Sequence, residues 1–394
     1  MTATAPRHRS LHAPGVVLFL AFVDIFALLP TVAPHVTALG AGPAAIGLAV
    51  GAYSAANLPA NIVGGVLVDR LGRRRVTLLG LVAAAVAVAG YALAATIGLF
   101  VLVRLLHGVA GGILIPAVFA AAGDRAPQGA EGRAFGRLGA VIGGAAVLAP
   151  AAAGAARQVL GTEAVFLGVS GLLLIGALVA LVGIHDDPSA RTQPPATRSR
   201  PSAMHRLLQL GSVRRALAGT AILTVAVGVL AGFLPGAAEA LGAPASAVGG
   251  LFTVYAIVAA GLMLSPVAGR VDRSGADGPL ALGLGLLGAA MAVLALAPTL
   301  VVAVIGAALF GAGYGMVFPA VAAATSSSSS LATRGRAFGL FNVAFSLGLA
   351  IGPPAIGGLS QLVPAIDPFV PTAALCLVAA AVVASGARRR APAP

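Results

Sequence analysis

The sequence predicts an all-α integral membrane protein whose twelve spanning helices form two six-helix halves. Three observations carry that expectation: a composition too apolar for water, twelve long apolar runs with short polar breaks, and blocks that recur at a fixed offset. Of 394 residues, 59% are hydrophobic and 9% charged, where soluble domains carry about 25% charge. Such a chain lacks the polar surface to cover itself. A span needs about 20 mostly apolar residues. Twelve runs qualify, at about 14–36, 44–68, 75–96, 98–122, 134–156, 163–184, 215–236, 246–268, 278–297, 299–324, 335–359 and 368–387. They are continuous rather than alternating, which excludes a membrane β-barrel. Glycine and proline inside them are tolerated because neighbouring helices satisfy the freed backbone groups.

The charges set the expected orientation. Every basic residue is arginine, and 22 of the 24 lie in the even-numbered connections and the termini. Arg104, inside span 4, and Arg157, in an odd connection, are the exceptions. Arginine marks the inner side of a membrane protein, so both termini are expected in the cytoplasm. The same distribution explains the net charge of +13 without nucleic acid. Arg7 and Arg9 precede a first run too long for a signal-peptide core and without a small-residue cleavage site, so an uncleaved first helix is expected. The single cysteine, Cys376, excludes an intrachain disulfide.

Domain organisation follows from the longest connection and from repetition. Residues 1–184 form the N-terminal half and 215–394 the C-terminal half. Residues 185–214, rich in Pro, Ser and Arg, read as a flexible tether, with a short surface helix at Met204–Leu210. ALGAGPAAIGLAVGAY (38–53) parallels ALGAPASAVGGLFTVY (240–255) at an offset of 202. Asp69, Arg70 and Gly72 return as Asp272, Arg273 and Gly275, at an offset of 203. At that same offset the block Gly132–Gly136 returns as Gly335–Gly339, Gly108 as Gly311 and Pro116 as Pro319. Two parallel six-helix repeats suit a carrier that rocks its halves around a central site.

Taken in order, span 1 carries Asp24 in FVDIFALLP. A charged carboxyl at mid-span costs roughly 2.5–3.5 kcal/mol on insertion scales, so Asp24 faces the bundle interior or carries a proton. Loading and release of a proton there is what proton coupling requires. The plainer reading is a hydrogen bond to a neighbouring helix. Span 2 brings Tyr53, Asn57 and Asn61, the asparagines sharing one helical face. Between spans 2 and 3 lies Gly65–Arg75, GVLVDRLGRRR, too short and too basic to lie in lipid.

That stretch resembles the loop between helices 2 and 3 of the major facilitator superfamily, roughly G-x-L-x-D-R-x-G-R-R/K-R. Gly65, Leu67, Asp69, Arg70, Gly72, Arg73, Arg74 and Arg75 fill its fixed positions. The resemblance implies a conformational gate. Gly65 would admit close approach of a neighbouring helix. Asp69 would face the N-terminus of span 11, near Arg334–Ala337, where a negative charge is stabilised by about 0.3–1 kcal/mol. Within the superfamily the chain is most like the drug:proton antiporter branch. Asp24 resembles that branch's first-helix acid. Arg104 and Gly108, in RLLHGVAGGILIP, match its R-x-x-Q-G, with His107 replacing Gln by a hydrogen-bonding group that titrates near neutral pH. An attraction between Arg104 and Asp24 would oppose protonation of the acid, to a degree set by their distance. Span 5 carries the branch's G-x8-G-x3-G-P-x2-G-G as Gly136, Ala145, Ala149, Pro150, Ala153 and Gly154. Span 11 carries it as Gly339, Gly348, Gly352, Pro353 and Gly357. Small residues there allow close helix packing.

Further cavity candidates are Thr220, Thr224, Tyr255, Tyr314, Phe318, Asn342 and Phe345, with helix packing as the competing reading for each. Charged groups are scarce in the spans, so a neutral or cationic, largely apolar small molecule fits better than an anionic one. The resemblance implies a secondary active transporter that exports small hydrophobic compounds against protons by alternating access. The alternatives are an exporter of sugars or other metabolites, an uptake carrier or uniporter, and, outside the class, a membrane-embedded enzyme or a receptor. The sequence holds no H-E-x-x-H, no G-x-S-x-G and no phosphate loop with lysine. No cofactor or metal is expected. The expected partners are a small-molecule substrate, protons and the lipid bilayer, in a monomer of the cell membrane.

Overall fold

A computed structural model describes residues 11–125, 131–186, 209–265, 276–327 and 334–388. Among these the regular structure is entirely helical, in thirteen helices. They are α1 (His12–Ala27), α2 (Val32–Ala38), α3 (Pro43–Leu71), α4 (Arg73–Ala92), α5 (Ile97–Gly123), α6 (Glu131–Leu160) and α7 (Thr162–Gly183). After the connection come α8 (Gly211–Ala240), α9 (Ala245–Leu264), α10 (Asp277–Ala295), α11 (Leu300–Ser327), α12 (Arg334–Leu362) and α13 (Phe369–Arg388). Eleven are long and apolar enough to cross a membrane, or twelve when α1 and α2, bent by 42°, are counted as one span. The helix ends fall within four residues of the expected runs.

The bend was not expected. Pro30 has no N–H for the Phe26 carbonyl, and its ring disfavours helical backbone at Leu29. The chain therefore turns through 28–31, and the Thr31 hydroxyl donates to the Ala27 carbonyl at 2.7 Å. Residues 187–208 of the connection lie outside the described residues, as do all but the end of the expected short helix and the repeat at Asp272–Gly275. So do the side chains of Arg334–Arg336.

Two large apolar cores form, one drawn from Val17 to Ile184 and the other from Ala216 to Val383. They meet along two seams, α3 against α12 and α6 against α9. Each seam brings backbone onto backbone at a glycine: Gly47 abuts the Pro353 carbonyl, and Gly154 abuts Ala245 and Gly249. A Cβ at either site would drive the seam apart, so Gly154, Pro353 and, through its carbonyl on Gly249, Pro150 lie in these backbone contacts. Gly352 packs on Val225 within the second half.

The seams also share a polar latch. The Ala44 N–H donates to Gln361 Oε1 at 3.1 Å, and the Ser246 N–H donates to Gln158 Oε1 at 3.2 Å. Neither α3 nor α9 has a side-chain cap of its own, so each borrows one from the opposite half. The two glutamines are 203 residues apart and the two amides 202 apart, the offsets of the repeat. Arg157 adds an ion pair to Glu239 at 2.6 Å, on the α6 seam. This pairing accounts for an arginine on the otherwise arginine-poor face.

At the arginine-rich face several of the described residues are uncovered. Gly65, Gly136 and Gly339 face open space, and Asp69 and Arg70 are exposed. Two expectations are corrected for this conformation: Gly64, not Gly65, abuts α5 at Gly112 and Ile113, and Gly136 packs against nothing. Asp69 makes no ion pair among the described residues. The motif instead ties the first half to itself. Gly72 joins α3 to α4 at φ +91°, with the Asp186 carboxylate where a Cβ would lie. That carboxylate accepts the Arg74 N–H at 3.0 Å and caps α4. Arg73 pairs with Asp124 at 2.8 Å, and Arg74 donates to the Leu181 carbonyl at 2.6 Å.

Replacing Gln158 and Gln361 with Ala should therefore favour opening of the latched face. Each lost cap is worth about 0.5–1.5 kcal/mol. Spin labels at Arg70 and Phe338 should report a shorter distance across the arginine-rich face in the double variant, and an unchanged distance distribution would show that the latches carry no conformational bias.

Candidate functional site

The first half joins four polar side chains from three helices, three of them buried and Arg104 half-buried. α1 supplies Asp24, α4 Tyr91, and α5 Arg104 and His107. His107, ten residues into α5, lies about 15 Å along it, near the middle of a bilayer core. It is fully buried, and Asp24 is 4% exposed. His107 Nε2 lies 2.8 Å from Asp24 Oδ2, and Nδ1 lies 2.8 Å from the Tyr91 hydroxyl. Arg104 Nη1 donates to that same hydroxyl at 3.2 Å, and Arg104 Nε to the Ala49 carbonyl at 3.2 Å.

The donor inventory fixes the direction of these bonds. Arginine only donates, so the Tyr91 oxygen accepts from Arg104; with Asp24 ionised and His107 neutral, Nδ1 is the ring acceptor and takes the Tyr91 proton. Neutral His107 then carries its proton on Nε2 and donates to the Asp24 carboxylate. A proton added to His107 reverses one link: Nδ1 becomes a donor, and Tyr91 must turn its hydroxyl proton away. Asp24 Oδ1 is buried without a partner, leaving the acid a second site for a proton. The arrangement can accept, hold and reorient a proton at a water-excluded position.

Aromatic rings enclose it. Tyr53 meets the His107 ring edge-on at 5.0 Å, and the Arg104 guanidinium lies 5.1 Å from the Tyr53 ring centre. Phe100 stacks on Tyr91 at 4.7 Å, with Phe166 at 5.3 Å. Gly108 and Gly111 allow this closeness, since a Cβ on either would strike Tyr53.

The structure brings together the three expected coupling residues in a different order. Arg104 does not pair with Asp24; His107 stands between them in the chain of bonds. Tyr91 was missed, although it is one of only four tyrosines and the other three had been singled out. Its position one residue from the end of α4 gave no sign that it faces α5. Among the cavity candidates, Asn61 donates to Asn57 Oδ1 at 2.7 Å, and Asn57 to the Gly108 carbonyl at 3.3 Å. They lock α3 to α5. Thr220 and Thr224 are fully buried and bonded to carbonyls of their own helix. They do not line a cleft, a correction with an ordinary cause: threonine in a span satisfies its hydroxyl on the preceding turn. Tyr255, Tyr314, Phe318 and Phe345 are half-buried and Asn342 exposed.

Removing the Tyr91 hydroxyl (Tyr91→Phe) leaves His107 Nδ1 buried and unpaired. The expected cost is about 1–3 kcal/mol, read as a lower unfolding temperature of the purified protein. An unchanged temperature would mean that the hydroxyl is not part of the chain of bonds.

A sequence profile of the Major Facilitator Superfamily matches residues 15–226 and again 216–394. The quinolone resistance protein NorA of Staphylococcus aureus is 25% identical over 175 residues, 44% of this chain and 45% of that one. Multidrug resistance protein 2 of Bacillus subtilis is 26% identical over 164 residues, 42% of this chain and 41% of that one. The matched stretch thus spans less than half the length of either relative. Among solved structures, a bacterial homolog of the human lysosomal transporter Spinster, inward-facing and unoccupied, superimposes with a TM-score of 0.80 at 16% identity, covering 98% of both chains. The nucleoside transporter NupG gives 0.76 at 15% identity, covering 96% of this chain and 97% of that one. At these identities the structures speak for the fold alone.

Proposed function

The chain belongs to the major facilitator superfamily, and from that premise we propose that it exports small hydrophobic compounds in exchange for protons. It is a multi-pass protein of the cell membrane. The observation that carries the proposal is the bond chain Asp24–His107–Tyr91–Arg104, buried except at the half-buried Arg104. With Asp24 ionised, His107 neutral and Arg104 charged, its formal charges cancel. One added proton leaves a net positive charge in a low-dielectric site, where charge is costly. That surplus favours a conformation in which the site meets water and the proton leaves.

In this mechanism the arginine-rich face and both termini are cytoplasmic. The conformation described above, latched on the opposite face, is the inward-open one, from which substrate enters and the proton departs. Opening of the two glutamine latches and closure of the arginine-rich face then carry the substrate across, with Asp69 reaching the N-terminus of α12. The names of the two matched relatives, for quinolone and multidrug resistance, support a drug-like cargo. The unit is a monomer, a carrier rather than an enzyme.

The test uses proteoliposomes holding a pH-sensitive dye, a proton gradient and a panel of hydrophobic compounds. Substrate-dependent proton movement is expected in the wild type, abolished by Asp24→Asn and slowed by His107→Gln, which keeps a hydrogen bond but carries no proton. Movement that survives Asp24→Asn would place coupling elsewhere. Substrate equilibration without any proton movement would make the protein a uniporter.

A further inference from the structure

The two halves repeat one backbone but carry different chemistry. Gly108 closes on the Tyr53 carbonyl, and Gly311 closes on the Tyr255 carbonyl in the same way. Gly80 likewise abuts Leu114, and Gly283 abuts Val317, each pair displaced by 203 residues. On this template His107 corresponds to Phe310. Even the ring geometry is kept: Tyr53 meets His107 at 5.0 Å and 70°, and Tyr255 meets Phe310 at 5.2 Å and 82°. Yet Asp24, at the offset of 202, corresponds to Ala226, and Tyr91 and Arg104, at 203, correspond to Leu294 and Ala307. The second half has the shape of the relay with nothing in it that titrates.

The reverse holds for aromatic rings. From Tyr255 a ladder runs to Tyr314 at 5.5 Å, to Phe318 at 5.7 Å and nearly parallel at 9°, to Phe341 at 6.0 Å and to Phe345 at 6.3 Å. It bridges α9, α11 and α12 and lies between the middle of the spans and the open, arginine-rich face. The counterparts of its last four members in the first half are Gly111, Ile115, Leu138 and Ile142, none of which carries a ring. All five ladder residues are half-buried, so ring surface stays open.

Charge decides what such a surface takes. Among the described residues the second half has no acid within the membrane: Glu239 is bonded to Arg157 at one face, Asp277 to Arg215 at the other, and Asp367 lies in a connection. The one buried acid of the first half is held by His107. A cation entering from the arginine-rich face would therefore pass a rim of mostly like charge, with Asp69 its one unpaired acid among the described residues, and meet no free counter-ion at the depth of the ladder. An uncharged ring system needs none, and ring pairs in offset or edge-on contact add favourable energy beyond area burial.

We propose that the Tyr255–Phe345 ladder is the substrate platform and binds flat, uncharged aromatic compounds, so that proton and substrate occupy different halves. This rests on reading the chain as a proton-coupled carrier. Exchange of an uncharged substrate for one proton moves one charge, so the membrane potential as well as the pH gradient drives it.

The chain has no tryptophan, so Phe341→Trp places a single fluorescent donor in the ladder while keeping a ring there. Pyrene, flat and uncharged, serves as acceptor, with the full-length purified protein in detergent and circular dichroism confirming the fold. Saturable energy transfer is expected, absent from Val182→Trp, which sits 76% exposed on the apolar outside of α7 and controls for dye in the micelle. Adding Tyr314→Leu, or Phe318→Leu should the first not fold, should weaken pyrene binding by about three- to tenfold. Ethidium, a flat cation, should compete poorly. Equal, unsaturable transfer at both tryptophans, or ring variants that bind as tightly as the parent, would reduce the ladder to packing. Ethidium binding more tightly than pyrene would overturn the charge assignment. The binding is read at equilibrium without a proton gradient, so it stands or falls apart from the coupling measured in liposomes.

Discussion

A carboxylate in the middle of a bilayer must find its partner inside the protein, and Asp24 finds His107. With no water to share the charge, every neighbouring polar group is committed in turn. His107 must present Nε2–H to the acid, which makes Nδ1 an acceptor, which requires the Tyr91 proton, which leaves the Tyr91 oxygen for Arg104. One desolvated charge thus orders four side chains on three helices. It also explains the glycines around them. α3 and α5 approach backbone to backbone at Gly108 and backbone to side chain at Gly111, which lets Tyr53 close over the imidazole.

The same economy shapes the conformational machinery. The halves touch where glycine lets backbones meet and where a helix start lacks its own cap. Gln158 and Gln361 supply those caps across the seams, related by the same displacement as the repeats. A contact that satisfies an orphan amide in one state and releases it to water in the other costs little either way, which suits the alternation proposed above. The arginine motif, by contrast, is spent within one half in this conformation, on Asp124, Asp186 and Leu181. It holds the α3–α4 turn rigid while Asp69 and Arg70 stay free at the rim.

Much of this was legible in the residues. Apolar runs located the spans to within four residues, because a chain that must bury its backbone groups in lipid has few options besides helix. The repeat at 202–203 residues foretold the paired seams. Asp24, Arg104 and His107 stood out because ionisable groups are expensive at mid-span. Tyr91 did not, since a tyrosine near a helix end usually marks the membrane boundary. Nor did Pro30 announce that span 1 bends, because prolines inside α3, α5 and α6 leave those helices unbroken. Thr220 and Thr224 looked like cavity polar groups, but a hydroxyl that bonds to its own helix needs no cavity.

By itself the sequence determined the class of protein, the number of spans, the two-fold repetition and three ionisable residues at mid-span. Each follows from the cost of placing polar groups in hydrocarbon, which local composition records. Only the tertiary structure decided how those residues pair. Arg104 and His107 lie one helical turn apart on α5 and compete for the same acid. The rotation of α5 against α1 and α4 turns the imidazole toward Asp24 and the guanidinium toward Tyr91 and the Ala49 carbonyl. That rotation is set by packing between helices far apart in the chain, and no local pattern of residues encodes it.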